Sequence, residues 1–335
     1  MAKPLGPPVL ALVGAETLLG REIRSVFADS TLAPKIHLIA TTEEETGLFT
    51  EEGGEPALVS PLDSDRFAAG QIAFLAGTAA ASRRALELVK DGRPVLIDLT
   101  GALEDRPEAK LRAPDAESPD QPPASTPIHV VAHPAAIALA IFFERLARRH
   151  AISRSVVHVF EPASERGQQG LDVLQKQTAG LLSFKPLSRE VYDAQASFNM
   201  LPRYGEDAPL PLEEIEARID RHLATLLARR TRVPMPSLRL VQAPVFHGYS
   251  FSIWVEFEDN PGVTAVSEAL ACAQIEVRGA GEEAPTNVGV AGQSGLTAGV
   301  IAIDRNQPRA CWFWLVADNL RLSAENAVAV ARQLL

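Results

Sequence analysis

Apolar and polar positions in the first part of the chain follow two alternating rhythms. Val9-Leu10-Ala11-Leu12-Val13 is a continuous apolar run of strand length, the pattern of a strand buried on both faces. Gly14 ends it, and Leu19, Ile23, Val26 and Phe27 then recur at helical spacing. Further strands are predicted at Ile36–Ala40, Ile72–Ala76, Val95–Leu99 and Ile128–Ala132, with a helix over about Ser82–Val89 stopped by Asp91-Gly92. Strands alternating with helices imply a mostly parallel sheet. The proline-rich stretch from Ala113 to Pro127 reads as a surface loop.

The second half has a different pattern. Strands are predicted at Ser155–Phe160, Leu238–Val241 and Tyr249–Glu258, and helices at Leu171–Leu181, Leu212–Arg229 and Leu320–Leu335. In the third strand Phe251, Ile253, Val255 and Phe257 alternate with Ser252, Trp254, Glu256 and Glu258, so one face is buried. Val300–Asp304 and Ala310–Val316 pair as a hairpin across residues 305–308. The aromatics Trp254, Phe257, Trp312 and Trp314 are assigned mostly to the core beneath the helices, with a dimer interface as the alternative. The predicted fold class is α/β: a Rossmann-type dinucleotide-binding domain, plus an α+β domain with a mostly antiparallel sheet. The first domain spans residues 1–133, with the closing helix 319–335 packing back on it, and the second spans 134–318.

Composition narrows the function. A length of 335 residues suits two domains. Acids outnumber bases 42 to 32, and the net charge of −10 argues against a nucleic-acid partner. Two cysteines, Cys272 and Cys311, exclude a disulfide framework and a cysteine-rich zinc site. Cys272 falls in a stretch that reads as helical, Ser267–Gln274, and both thiols are expected to be buried and structural. The opening residues lack the long apolar run of an export signal, and no apolar run reaches the roughly 18 residues of a membrane span. A cytoplasmic protein without membrane contact is expected.

The turn after the first strand has the order strand, turn, helix, which offers N–H groups to a phosphate. Gly14 and Gly20 frame it, but a strict G-x-G-x-x-G fingerprint is absent. Spacing alone leaves a bare structural turn equally open.

Four segments together resemble the aspartate-semialdehyde dehydrogenase family. Gly14-Ala15-Glu16-Thr17-Leu18-Leu19-Gly20-Arg21-Glu22 is similar to its GATGxVGxE nucleotide loop, and Val95 to Leu103 to its VIDNSSAFR stretch. Pro244 to Ser250 resembles PVxxGHS, and Ala317 to Arg321 leading to Asn326-Ala327-Val328 resembles the SDNLRKGAAxNAV tail. They occur in the family's order over nearly the whole chain. The resemblance implies a homodimer of two-domain subunits that reduces aspartyl phosphate with NADPH. Such an enzyme uses a cysteine nucleophile and a histidine acid/base, with arginines and a lysine holding the anionic substrate.

The matching positions here lack that chemistry. The N-P-N-C segment matches His133-Pro134-Ala135-Ala136, so Ala136 stands at the cysteine. The family's glutamine matches Glu161, its substrate arginine Gln242 and its histidine Tyr249. The arginine of SSAFR matches Glu104. The lysine of E-x-x-K matches Glu216, while Glu213 keeps the acid. A phosphate dianion beside two carboxylates is repelled.

For a cofactor, the resemblance points to Gly14, Glu16, Thr17, Leu18, Gly20, Thr41, Glu43, Gly77 and Thr78. Glu43 stands near the family's arginine for the NADP 2′-phosphate, which favours NAD, or no dinucleotide, over NADP. His133, His247 and Glu161 include zinc-ligand types, but a solvated cleft whose residues drifted is preferred and no metal is expected. Two function classes follow. One is a non-catalytic member acting through binding or dimerisation, with room for a small-molecule ligand in the interdomain cleft. The other is an active NAD(P)-dependent oxidoreductase of the same superfamily with altered substrate and mechanism.

Overall fold

The structure is a computed structural model that describes residues 7–52, 54–117, 126–228 and 233–335. Residues 1–6 of the opening stretch read for an export signal, most of the proline-rich loop and Arg229 lie outside the described residues. The chain divides into two compact units, one of residues 1–132 and 323–335 and one of residues 133–322.

In the first unit the elements run β1 (Val9–Val13), α1 (Leu18–Ala28), β2 (Lys35–Ile39), β3 (Phe49–Glu52), β4 (Glu55–Leu58), α2 (Asp65–Ala68), β5 (Ile72–Leu75), α3 (Ala79–Leu88), β6 (Val95–Asp98), β7 (Ala109–Arg112) and β8 (Ile128–Val131). Six strands form one sheet in the order β2-β1-β5-β6-β8-β7, with every pairing parallel. β1 and β5 are apolar throughout because helices cover both faces of such a sheet, and their residues are almost wholly buried. β3 and β4 form a separate antiparallel hairpin that the apolar pattern does not predict, since Glu51, Glu52 and Glu55 interrupt it.

In the second unit come α4 (Pro134–Ala147), β9 (Ile152–Glu161), α5 (Gly167–Leu182), α6 (Leu212–Leu227), β10 (Ser237–Gln242), β11 (Tyr249–Phe257), α7 (Gly262–Leu270), β12 (Ile275–Val277), β13 (Leu296–Ile303) and β14 (Ala310–Ala317). The helix α8 (Asn319–Leu334) closes the chain. The sheet order is β10-β9-β11-β14-β13-β12. Its three central pairings are antiparallel and the two outer ones, β10 with β9 and β12 with β13, are parallel. The sheet is therefore mixed. The hairpin expected across residues 305–308 is present.

Two sequence expectations are corrected here. Phe257 is core, but Trp254, Trp312 and Trp314 are not buried, and Trp312 is 38% exposed. Trp254 faces Trp312 across the strand pair, and Ser252 faces Trp314, so all three indoles share the face opposite Phe251, Ile253 and Val255. The indole N–H groups of Trp254 and Trp312 donate to the same Asp304 oxygen, Oδ2, at 3.0 and 2.8 Å. Cys272 is not helical: α7 ends at Leu270, and Cys272 lies half-buried in the turn bridged to Ile275. Cys311 is buried as expected. No helix among the described residues is long and apolar enough to cross a membrane.

Candidate functional site

In the second unit the strands bring the family-matched positions to one end of the sheet. Glu161 is the last residue of β9 and Gln242 the last of β10, and the two are register partners. Tyr249 opens β11, whose next residue pairs with Phe160. The side chains form one buried network with the Glu161 carboxylate at its centre. Arg166, at the end of the 3-10 turn Ala163–Arg166, places a guanidinium nitrogen 3.1 Å from Glu161 Oε1. The Tyr249 hydroxyl donates to Glu161 Oε2 at 3.3 Å. The Tyr204 hydroxyl donates to Gln242 Oε1 at 2.6 Å and lies 3.4 Å from Glu161 Oε1. Gln242 in turn donates from Nε2 to the carbonyls of Glu161 and Ala243.

Burial governs the electrostatics. It pushes the Glu161 carboxyl above the ordinary carboxylate range, and the adjacent Arg166 is the main opposing influence. It also pushes the Tyr249 hydroxyl well above its usual range, with the Glu161 charge adding to the shift. Glu161 has no solvent exposure, and Gln242 and Tyr249 are nearly as buried. The expectation of a solvated, drifted cleft is thus replaced by a dry set of partnered groups. Arg166 and Tyr204 escape sequence reasoning because they lie in loops without periodicity.

Beside this network the N-terminus of α4 is closed by His133. Its Nδ1 accepts from the Ala135 N–H at 3.3 Å, while its own backbone N–H donates to His222 Nδ1 at 2.9 Å. That leaves Nε2 to carry the proton, 3.7 Å from Glu165 Oε2. The His133 and Tyr249 rings meet edge-on at 5.9 Å. Burial holds the imidazole well below its ordinary range and raises Glu165 to about 7, with Glu161 as the next cause for Glu165. Asn319 donates to Glu165 at 2.7 Å and accepts from Gly248 N and Ser164 Oγ, each at 3.1 Å. Ala136, two residues into the helix from its proline, is fully buried.

The remaining anion-site positions are not gathered there. Glu216 Oε2 accepts from the Leu240 N–H at 2.6 Å and its other oxygen pairs with Arg239 at 3.6 Å, so it holds the edge strand β10. Glu213 is exposed in the first turn of α6. Glu104 is half-buried in the turn after β6, which Asp98 organises by accepting from the Thr100 and Leu103 N–H groups. His247 is half-buried before β11 and is not part of the Glu161 network. Among the described residues no cluster of histidine, cysteine or carboxylate is arranged to hold a metal.

In the first unit the sheet order reverses between β1 and β5, the position where open α/β sheets bind ligands at their carboxyl ends. Gly14 has φ +86°, and a Cβ there would stand 2.6 Å from Gly77 Cα. A Cβ on Gly20 would stand 2.0 Å from the Gly14 carbonyl oxygen, so the helix packs tightly on the turn. The Thr17 hydroxyl caps α1 by accepting from Gly20 N–H at 3.0 Å, and lies 2.8 and 2.9 Å from the Gly14 and Ala76 carbonyls. Thr78 caps α3 the same way, accepting from Ala81 N–H. The N–H groups of Leu18 and Leu19 precede the first intrahelical bond, from Arg21 N to the Thr17 carbonyl. This cradle fits a dinucleotide's phosphates. Glu16 is engaged by Arg21 and Arg24 at 3.4 and 3.0 Å, and Glu43 is exposed. Past the end of β2, Thr41 is bonded to Glu45 through its N–H and its hydroxyl.

A family model described as "Semialdehyde dehydrogenase, dimerisation domain" matches residues 144–322. The chain is 25% identical over 343 residues to the aspartate-semialdehyde dehydrogenase of Rickettsia bellii (strain RML369-C), covering 97% of each protein. It is 29% identical over 345 residues to a USG-1 protein homolog of Pseudomonas aeruginosa, covering 100% of this chain and 99% of the relative. Among solved structures it is similar to a probable aspartate-semialdehyde dehydrogenase from Pseudomonas aeruginosa, with 28% identity, a TM-score of 0.86 and 98% coverage of both chains.

Proposed function

The chain belongs to the aspartate-semialdehyde dehydrogenase family, and from that membership we propose that it is a member without the family's dehydrogenase activity, acting through binding and dimerisation. One observation carries the reading. Glu161, Gln242 and Tyr249 are buried and committed to one another and to Arg166 and Tyr204, instead of being held ready for a substrate. A methyl group at Ala136 offers no nucleophile for an acyl intermediate, and Tyr249 has no basic nitrogen with which to exchange a proton near neutrality.

Dimerisation through the second unit is part of the same reading. The face carrying Trp254, Trp312 and Trp314 is partly exposed, and Val156, the register partner of Trp254 on β9, is exposed beside it. Such an apolar sheet face is a surface for a second copy. In the first unit Gly14, Thr17, Leu18 and Gly77 would hold a dinucleotide's phosphates. When bound, the nicotinamide group would supply a hydride acceptor or donor. A cytoplasmic location accords with this reading.

The alternative, an active oxidoreductase with altered substrate, draws on Glu165 and His133. Burial raises the Glu165 carboxyl, 3.7 Å from His133 Nε2, to about 7, so it is a group that could give or take a proton near neutrality. The test is direct. Purified protein is incubated with aspartate semialdehyde, phosphate and NAD or NADP while reduced nicotinamide is followed by absorbance. No turnover is expected; turnover that co-purifies with the chain and is lost in a Glu165→Gln variant would support the alternative.

A further inference from the structure

Thr41 lies just past β2, at the carboxyl edge of the parallel sheet and beside the β1/β5 crevice. Its packing is set by Gly77: a Cβ on Gly77 would stand 2.1 Å from the Thr41 methyl, so only glycine there leaves Thr41 its place. Thr41 directs two donors at one point, its backbone N–H and its hydroxyl. Both meet Oε2 of Glu45, at 2.6 and 2.8 Å. Glu45 returns to Thr41 because residues 43–45 make a single 3-10 turn, closed by Thr46 N–H on the Glu43 carbonyl at 3.1 Å. Gly47, at φ +84°, then turns the chain so that its N–H reaches the Val59 carbonyl at 2.9 Å. The carboxylate is thus a built-in occupant of a two-donor oxyanion site.

An N–H and a hydroxyl converging at the end of the second strand form a donor pair suited to a phosphate oxygen on a dinucleotide's adenosine ribose. Here that pair is saturated by a carboxylate of the chain itself, and Glu43 and Glu44 add negative charge on the same turn. We infer that Glu45 is an internal anion that displaces a 2′-phosphate from Thr41, so that this chain accepts NAD and excludes NADP. A phosphate would have to expel Glu45 or sit against it, and like charges in contact are strongly disfavoured. Glu45 Oε1 remains to accept from the unphosphorylated ribose hydroxyls. The inference rests on the reading of the first unit as a dinucleotide site. It assigns the choice to Glu45, a residue that the family-matched positions do not include.

The test is isothermal titration calorimetry of the full chain with NAD and with NADP. Unaltered protein is expected to bind NAD at least about tenfold more tightly than NADP. Glu45→Ala frees both Thr41 donors and is expected to raise NADP affinity about tenfold or more while weakening NAD. Glu45→Gln keeps an amide oxygen for the Thr41 N–H and so preserves the local fold. It removes the charge and is expected to narrow the gap between the nucleotides. Equal binding of NAD and NADP by the unaltered chain, or NADP affinity unmoved in both variants, overturns the inference alone. Binding of neither nucleotide by any of the three proteins overturns it together with the dinucleotide reading.

Discussion

The Arg166 guanidinium lies 3.1 Å from the Glu161 carboxylate, which has no solvent exposure. In the family's pattern a neutral glutamine matches Glu161, so the acid brings a buried charge and Arg166 balances it. Removing one partner of such a pair leaves the other uncompensated and costs about 3–5 kcal/mol, whereas removing both costs little. Arg166→Met is therefore expected to lose about that much stability in urea unfolding. Glu161→Gln with Arg166→Met is expected to recover most of it. Additive losses in the double variant would show that the two groups do not act as a pair.

Legibility varied with the kind of signal. β1 and α1 were readable because an unbroken apolar run and a helical period meet at a glycine. α4 was not, because Pro134 to Leu146 is apolar on nearly every side and has no polar face to set a period. The positions of Glu161, Gln242 and Tyr249 followed from motif order, but Tyr204 joins them from a sequence distance of 38 residues with no local mark. Alternation in β11 correctly separated Phe251 from Trp254. Alternation does not say which face is covered, so sequence alone points the tryptophans to the core. Glu45 carries no mark in the sequence because its role depends on a turn that folds it back on Thr41.

Restoring two family groups is not expected to restore activity. In Ala136→Cys with Tyr249→His, Gln242 still accepts from Tyr204 and donates to two carbonyls, so the position matched to the family's substrate arginine stays neutral and engaged. Groups that act as a unit fail together, and the double variant is expected to stay below about a thousandth of an active relative's rate. A spectrophotometric assay with aspartate semialdehyde and phosphate measures this, and a rate within tenfold of such a relative (about 1.4 kcal/mol) would contradict the reading of the site.

His129 gives a pH prediction. It is fully buried on β8, with Nδ1 3.2 Å from Arg112. Burial, then Arg112, lowers its pKa from 6.5 to about 4. The unfolded chain therefore takes up a proton first as pH falls, so the stabilising contribution is complete above 6.5 and lost between 6.5 and about 4. The loss from this group is up to about 3 kcal/mol. His129→Asn retains an acceptor near Arg112 without the titration. Its unfolding free energy should decline less steeply than that of the unaltered chain over this range; parallel curves would remove His129 as the cause.

The last prediction concerns the tryptophan face. Asp304 holds the Trp254 and Trp312 indoles through one oxygen, Oδ2, which ties the two side chains together on this face. Arg154 lies over the Trp254 ring at 5.8 Å to its centroid, so the rim is charged while the centre is apolar. A second copy of the chain would cover that centre. Sedimentation is expected to give about twice the 36.0 kDa of one chain. Trp312→Arg puts a charge at the centre of the patch and is expected to weaken association about a hundredfold or more, yielding the single-chain mass at micromolar concentration. Asp304→Asn keeps an oxygen acceptor for the two indoles and should leave the dimer intact. If Trp312→Arg sediments as the unaltered chain does, this face is not the interface.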